Sequence, residues 1–345
     1  DRVLSQRERL QHSAASMKFP HARFREGQRD MSAAIYRSTR DAQVLMCEAP
    51  TGIGKTVSAL FPGIKSLGEG SIDQIAYLTA KVAGRLSALH TLEHMQASGL
   101  VVTAVQIRAK QPSCFCSNGR CERDETGRCP MTLGFFDRLP AARDELLDCG
   151  IMTESVLDDI AWQHQLCPFE LALQMLPWVH VVMADFNYVF DPLVRLQHFA
   201  EDRSDTLLLV DEAHNLLDRS RSMYSARLDR LQCLDEAASC RQHHPQVASR
   251  LDRLASELRA HAREQTEDTR ISDVANVNLS RRAADVVEAM LASQGQVPGL
   301  PESSGELFRV LCRYIVINDL FAEQHRSITH IGKAGRRKQV EVVLF

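Results

Sequence analysis

The sequence lacks any apolar run approaching the roughly 18 residues that a membrane helix needs. Its first residues (Asp1, Arg2, then Gln6, Arg7 and Glu8) lack the apolar core of a signal peptide. Together these absences predict a soluble, cytoplasmic chain with no membrane partner. Charge of one sign is missing too: 41 Lys and Arg face 44 Asp and Glu, a net charge of −3. No overall field draws in a polyanion, so a nucleic-acid partner has to be held in a local groove. Sustained heptads, biased composition and internal repeats are absent as well, which excludes coiled coil, collagen-like and disordered classes.

What is present is a chain of 345 residues, 44% hydrophobic and 25% charged. At roughly 100 to 200 residues per domain, that allows two or three domains with packed cores. Short runs rich in Val, Ile and Leu (residues 44–47, 75–79, 101–105, 179–184 and 207–211) alternate with longer helix-like segments. Uninterrupted apolar runs of this length suit strands buried on both faces, so the pattern predicts an α/β core with a parallel sheet over residues 20–220.

Two segments break the alternation. Residues 109–168 are too long for an ordinary connection in an α/β unit and read as an inserted module. They carry Cys114, Cys116, Cys121, Cys129, Cys149 and Cys167 out of ten cysteines in the chain. In a cytosolic chain such a cluster points to metal or redox chemistry rather than to disulfides. Residues 222–338 are charged and helix-like, divided by a polar loop at 294–305, and no strong strand is expected before the final run 339–345.

The run 44–47 leads into Ala49-Pro50-Thr51-Gly52-Ile53-Gly54-Lys55-Thr56, which matches a P-loop except that Ala replaces the first Gly. Gly52 and Gly54 let backbone N–H groups turn inward around phosphate oxygens, where a Cβ would obstruct. Lys55 is placed to reach the β and γ phosphates and Thr56 to ligate magnesium, at a helix N-terminus whose dipole favours anions. The run 207–211 ends in Asp211-Glu212-Ala213-His214. Asp211 is placed to hold magnesium and Glu212 to orient and activate the attacking water. Both halves in this order predict hydrolysis of a nucleoside triphosphate. Upstream, Arg25 and Gln28 lie at a distance from the loop that suits base selection, because a Gln amide pairs with both a donor and an acceptor on an adenine edge.

Cys114, Cys121, Cys129 and Cys167 form a four-thiolate set able to hold a structural zinc or an iron–sulfur cluster. Spacing alone leaves both open. Cys116 competes with Cys114, and Cys149 is set aside.

The P-loop variant, the Asp-Glu-Ala-His box and a cysteine-bearing insertion between them resemble the XPD/DinG family of superfamily 2 DNA helicases. Cys167-Pro168-Phe169 is similar to the Cys-Pro-Tyr of the family's last cluster ligand. Asp185-Phe186-Asn187-Tyr188-Val189-Phe190-Asp191-Pro192 is similar to a family segment after the next strand. Cys129-Pro130, followed by Gly134-Phe135-Phe136-Asp137-Arg138, looks like bacterial members.

The resemblance implies a RecA-like P-loop motor domain over residues 1–108 and 169–221, an iron–sulfur insertion at 109–168 and a helical arch at 222–338. Residues 339–345 would then be a strand returning to the motor. It further implies ATP, magnesium and a 4Fe–4S cluster on Cys114, Cys121, Cys129 and Cys167. Cys114 is preferred over Cys116 because its gap to Cys121 fits the bacterial pattern. The site set is Lys55, Asp211, Glu212 and His214 for catalysis; Arg25, Gln28, Thr51, Gly52, Gly54, Lys55 and Thr56 for nucleotide; Thr56 and Asp211 for magnesium. The implied activity is 5′ to 3′ translocation on single-stranded DNA and unwinding of forked duplex, in DNA repair or replication.

In the family a second motor domain follows the arch. Nothing after the arch-like block matches it, so the chain is expected to be an N-terminal fragment with low activity alone. Candidate DNA contacts are Arg108, Lys110, Phe135, Phe136, Arg138, Tyr188 and the basic run 333–338. Two other readings stay open: an ATP- and DNA-binding regulatory module without turnover, and a zinc-bearing P-loop ATPase acting on RNA.

Overall fold

The computed structural model describes residues 2–345 apart from 118, 126–127, 201–204, 264, 266, 294–298 and 335–336. The chain divides into two compact units, residues 1–189 with 196–216, and residues 190–195 with 217–345.

In the first unit five strands form a parallel sheet: β1 (Gln74–Leu78), β2 (Ala104–Gln106), β3 (Ile151–Met152), β4 (Val181–Ala184) and β5 (Thr206–Val210), in the order β3-β2-β4-β1-β5. Every residue of β1 and β4 is buried, as an apolar run without alternation requires. Helices α1 (Arg2–Ser16), α2 (Gln28–Arg40), α3 (Lys55–Gly68) and α4 (Val82–Ala97) share one core with Ile75, Tyr77, Val181, Met183 and Leu209 of that sheet. The Lys65 ammonium on α3 donates to the Ala14 and Ala15 carbonyls at 2.6 and 3.1 Å, satisfying acceptors that the end of α1 leaves free.

Four sequence expectations change in this unit and the next. Residues 44–47 form no strand: Val44 is 93% and Met46 94% exposed. An apolar run becomes a strand only where a neighbour supplies backbone partners, and none lies beside this one among the described residues. Strand β5, at one end of the sheet order, likewise has no ladder partner on its outer side among the described residues, with Leu208 at 43% exposure. The module at 109–168 is not wholly an insertion, because its residues Ile151 and Met152 are β3, paired in parallel with β2.

In the second unit, residues 222–338 are not purely helical. Strands β6 (Ala226–Asp229), β7 (Thr269–Ser272), β8 (Ser327–Ala334) and β9 (Arg337–Leu344) form an antiparallel sheet, order β6-β9-β8-β7. The final run 339–345 falls in β9 and does not return to the parallel sheet. Its pattern gives the reason: Val340, Val342 and Leu344 are buried and alternate with more exposed residues, the signature of a strand with one covered face. Helices Arg230–Cys240, Pro245–His261, Val277–Ala292 and Ser303–Asp319 complete a core with β6 and β9.

Candidate nucleotide and cysteine sites

The P-loop closes over the start of α3 in a conformation that its glycines make possible. Gly52 and Gly54 sit at φ of 82° and 88°, the left-handed region that side chains rarely enter. A Cβ on Gly54 would lie 2.6 Å from the Gln28 amide nitrogen. That nitrogen donates to the Ile53 carbonyl at 2.6 Å, while the Gln28 amide oxygen accepts from the Arg25 N–H at 2.7 Å. The Arg25 guanidinium donates to the Gly52 carbonyl at 2.5 Å. Gln28 is 1% exposed. Arg25 and Gln28 are thus brought to the nucleotide loop as expected, yet in this structure they brace its backbone instead of facing outward to a base. Thr51 is exposed beside them.

Across the sheet edge, Lys55 Nζ lies 3.2 Å from Glu212 Oε1, joining residues 157 apart in the sequence. The Lys55 hydrogen bond and charge hold the Glu212 carboxyl below its ordinary value. Glu212 occupies the left-handed region at φ 52°, a sharp turn that aims its side chain back over the loop. The exposed His214 stands 3.6 Å from Glu212 and contacts the Asn215 amide at 3.1 Å. The Asp211 N–H donates to the Leu78 carbonyl at 2.8 Å, continuing the β1–β5 ladder by one residue.

Two residues with no spacing signal also belong here. Tyr77 is buried in β1, where burial first, then the Asp211 charge, push its pKa up. The Ser87 hydroxyl meets that of Thr56 at 3.1 Å.

The cysteines gather around a tight turn. The Arg120 and Cys121 N–H groups both donate to the Phe115 carbonyl, at 2.8 and 3.2 Å. Phe115 is buried, edge-on to Trp162 with ring centroids 5.3 Å apart. The turn sets Cys116 opposite Cys121, with sulfurs 2.9 Å apart, and Cys116 lies 3.7 Å from the Cys129 sulfur. The Cys167 N–H donates to the Met131 carbonyl at 3.1 Å, tying the start of a helix (Pro168–Gln174) to the segment after Cys129. Cys116, the competitor of Cys114, makes the direct sulfur contacts with Cys121 and Cys129. Burial opposes ionisation of Cys114, but hydrogen bonding with Ser117 and Cys116 outweighs it and holds the thiol below its ordinary value. Cys149 ends the helix Phe135–Cys149, 15 residues and so roughly 22 Å from its start.

Among the described residues no group of three or more His, Cys, Asp or Glu is arranged to hold a metal ion. In kind the donors fit a thiolate centre, since soft sulfur ligands suit zinc or iron–sulfur clusters and four of these thiols are only partly buried. The 3.7 Å separation of Cys116 and Cys129 matches the roughly 3.8 Å between sulfurs implied by a tetrahedral Zn–S bond of about 2.3 Å, and the 2.9 Å separation of Cys116 and Cys121 is shorter.

The family description DEAD_2 matches residues 99–233. A helicase subunit XPD of the general transcription and DNA repair factor IIH from Dictyostelium discoideum is 22% identical over 226 residues, covering 57% of this chain and 29% of that protein. Its counterpart from Schizosaccharomyces pombe is 23% identical over 234 residues, with the same coverage. A solved XPD helicase superposes with a TM-score of 0.54 at 14% identity over 94% of this chain and 54% of that one. A truncated XPD gives 0.54 at 15%, over 92% and 86%. The chain is similar to the XPD helicases over this region. It resembles their N-terminal part and spans 29% of the length of the curated relatives it matches; the structural matches at these identities speak for the fold.

In this XPD-like chain most of the expected DNA contacts have structural partners. Arg108 pairs with Asp158 and lies 3.8 Å from Glu154. The Tyr188 hydroxyl donates to the Arg108 carbonyl at 3.0 Å. Arg138 donates to the Leu133 and Gln165 carbonyls at 2.6 and 2.8 Å. Phe135 and Tyr188 are buried. Lys110 pairs with Glu170 at 2.8 Å. Phe136, 72% exposed, is the aromatic of this set that faces solvent. In the run 333–338, residues 335 and 336 lie outside the described residues, and Arg337 pairs with Asp235 at 2.6 Å. No helix among the described residues is long and apolar enough to cross a membrane.

Proposed function

We propose that the chain is the N-terminal part of an ATP-dependent, iron–sulfur DNA helicase that moves 5′ to 3′ on single-stranded DNA and opens forked duplex. In this reading residues 1–108 and 169–221 are the motor and 109–168 the cluster-bearing module, lending β3 to the motor sheet. Residues 222–338, with the antiparallel sheet and the final strand included, are the arch. A second motor domain of the full protein would complete the engine, and the cellular setting would be cytoplasmic DNA repair or replication.

The observation that carries this reading is the Lys55–Glu212 pair at 3.2 Å. It brings the P-loop and the Asp-Glu-Ala-His box together at the carboxyl ends of parallel strands, where α/β sheets bind ligands. Gly52 and Gly54 would offer backbone N–H groups to the phosphates, and Lys55 would exchange Glu212 for the β and γ oxygens. Glu212, relieved of the ammonium, would orient the attacking water and accept its proton; His214 is close enough to steady Glu212. Thr56 and Asp211 would hold magnesium, which when bound neutralises phosphate charge. Cys116, Cys121, Cys129 and Cys167 would hold the cluster, whose contribution would be to cross-link the turn at Phe115, the segment after Cys129 and the start of the helix Pro168–Gln174.

Binding of a fluorescent ATP analogue with magnesium tests the nucleotide site. Lys55→Ala should weaken binding at least tenfold, about 1.4 kcal/mol, as loss of a charge-assisted bond requires. Equal affinity in both proteins would overturn the assignment. DNA-stimulated ATPase of the full-length protein against Glu212→Gln then separates turnover from binding alone.

A further inference from the structure

We propose that Arg25 and Gln28 are positioning residues of the phosphate loop, which fix two of its peptide planes for any nucleoside triphosphate, and that Gln28 does not read the base. The inference rests on the reading of residues 49–56 as the loop that takes the phosphates.

The two side chains grip consecutive peptide groups. The Arg25 guanidinium donates to the Gly52 carbonyl, and Gln28 Nε2 donates to the Ile53 carbonyl at 2.6 Å. A peptide group is planar and trans, so its C=O and the N–H of the next residue point in opposite directions. Drawing the Gly52 and Ile53 carbonyls toward the start of α2 therefore turns the Ile53 and Gly54 N–H groups away from it, to a common side. Successive N–H groups turned to one side, with Gly54 in the left-handed region at φ 88°, form the anion-binding concavity of a phosphate loop. Arg25 and Gln28 set that concavity before any ligand arrives.

The grip is itself held in place. The Gln28 N–H donates to the Arg25 carbonyl at 3.1 Å, while Gln28 Oε1 accepts from the Arg25 N–H at 2.7 Å. This reciprocal pair closes the turn before α2 and leaves Nε2 aimed at the loop. Four residues on, and so on the same face of α2, the buried Ser32 hydroxyl donates to the Ser58 carbonyl of α3 at 3.0 Å. The Ser58 hydroxyl donates in turn to the Gly54 carbonyl at 3.0 Å. One face of α2 thus holds both the loop and the helix that follows it.

Burial decides what Gln28 is free to do. A carboxamide reads an adenine edge only by presenting its oxygen and its nitrogen together to the base. At 1% exposure Gln28 has no such edge to present, and both ends of the amide already serve the chain. Neither residue has to touch the base for its loss to be felt at the phosphates.

Calorimetric titration in magnesium compares ATP, GTP and inorganic tripolyphosphate on the wild type and on Gln28→Ala, with thermal unfolding of both proteins as a check on folding. We expect Gln28→Ala to weaken all three by the same factor, about tenfold, the scale of one buried carbonyl left without its donor. A loss confined to ATP, with tripolyphosphate unchanged, is what a base reader would give and overturns the proposal. Unchanged binding of all three overturns it too. Should Gln28→Ala not fold, Arg25→Ala carries the same comparison, since Arg25 is exposed and its loss frees the Gly52 carbonyl; equal losses are again expected, and a loss for ATP alone again overturns. Lys55→Ala, run alongside, keeps the two readings apart. A wild type that binds none of the three, or a Lys55→Ala protein that binds them all as well as wild type, sinks the phosphate-loop reading together with this one; Lys55→Ala impaired with Gln28→Ala indistinguishable from wild type sinks this one alone.

Discussion

His180, just before β4, accepts at Nδ1 from the Thr103 N–H at 3.1 Å and meets the Thr103 hydroxyl at 2.8 Å. Burial, with a smaller push from Arg7, lowers its pKa to about 4. An unfolded His titrates near 6.5, so between the two values the unfolded chain binds the extra proton. Above pH 6.5 the group adds no pH dependence; as pH falls from 6.5 to 4 it removes stability, by no more than about 1.4 kcal/mol per unit. Urea unfolding at pH 7, 6 and 5 should show that slope, and His180→Asn should flatten it, leaving a part from His261, which burial also lowers. Equal slopes in the two proteins would count against it. At this scale the sequence was readable wherever a residue's role depends on its neighbours in the chain: Gly52, Gly54, Lys55 and Asp211 lie where the motif pattern puts them. Gln28 was marked, but its partner Ile53 is 25 residues away, and only the closed loop reveals the brace. Ser87 has no motif at all, because its meeting with Thr56 depends on how two helices pack.

Elements were legible in proportion to how far their pattern depended on local sequence. The runs that became β1 and β4 read correctly, since full burial leaves no alternation to misjudge, and the run of β5 did so although only Leu209 in it is buried. Residues 44–47 have the same composition and no partner, so composition alone misled. The short strands of the second sheet were hidden because four-residue alternations such as Ala226, Arg227, Leu228 and Asp229 also fit a helix. The turn at Phe115 bears on a chemical question in the same way: the family pattern favoured Cys114, and the turn geometry sets Cys116 beside Cys121 and Cys129. Iron analysis of protein purified without oxygen should find Cys116→Ser depleted of most of its iron, while Cys114→Ser keeps it. The reverse outcome would restore Cys114. Nucleotide binding should survive in both variants, since neither thiol is on α3 or β5.

At the scale of the whole molecule, the two units have separate cores, one built on β1, β4 and α1–α4 and the other on the antiparallel sheet and its helices. A net charge of −3 means that DNA affinity, in the proposed function, comes from a few local contacts and should fall with salt only in proportion to their number. The outer side of β5 has a different consequence, one for handling in solution. Residues 206–210 (Thr-Leu-Leu-Leu-Val) are uncharged and β-prone, and they border a row of backbone groups without a ladder partner among the described residues. Natural sheets shield such borders with charge, proline or a covering segment, because an open border templates pairing with another chain. This chain alone should therefore self-associate as its concentration rises, seen as growing light scattering at constant ionic strength. Leu208→Lys, on the face opposite Asp211, should delay that growth without weakening nucleotide binding, and scattering that does not depend on concentration would speak against a sticky sheet border.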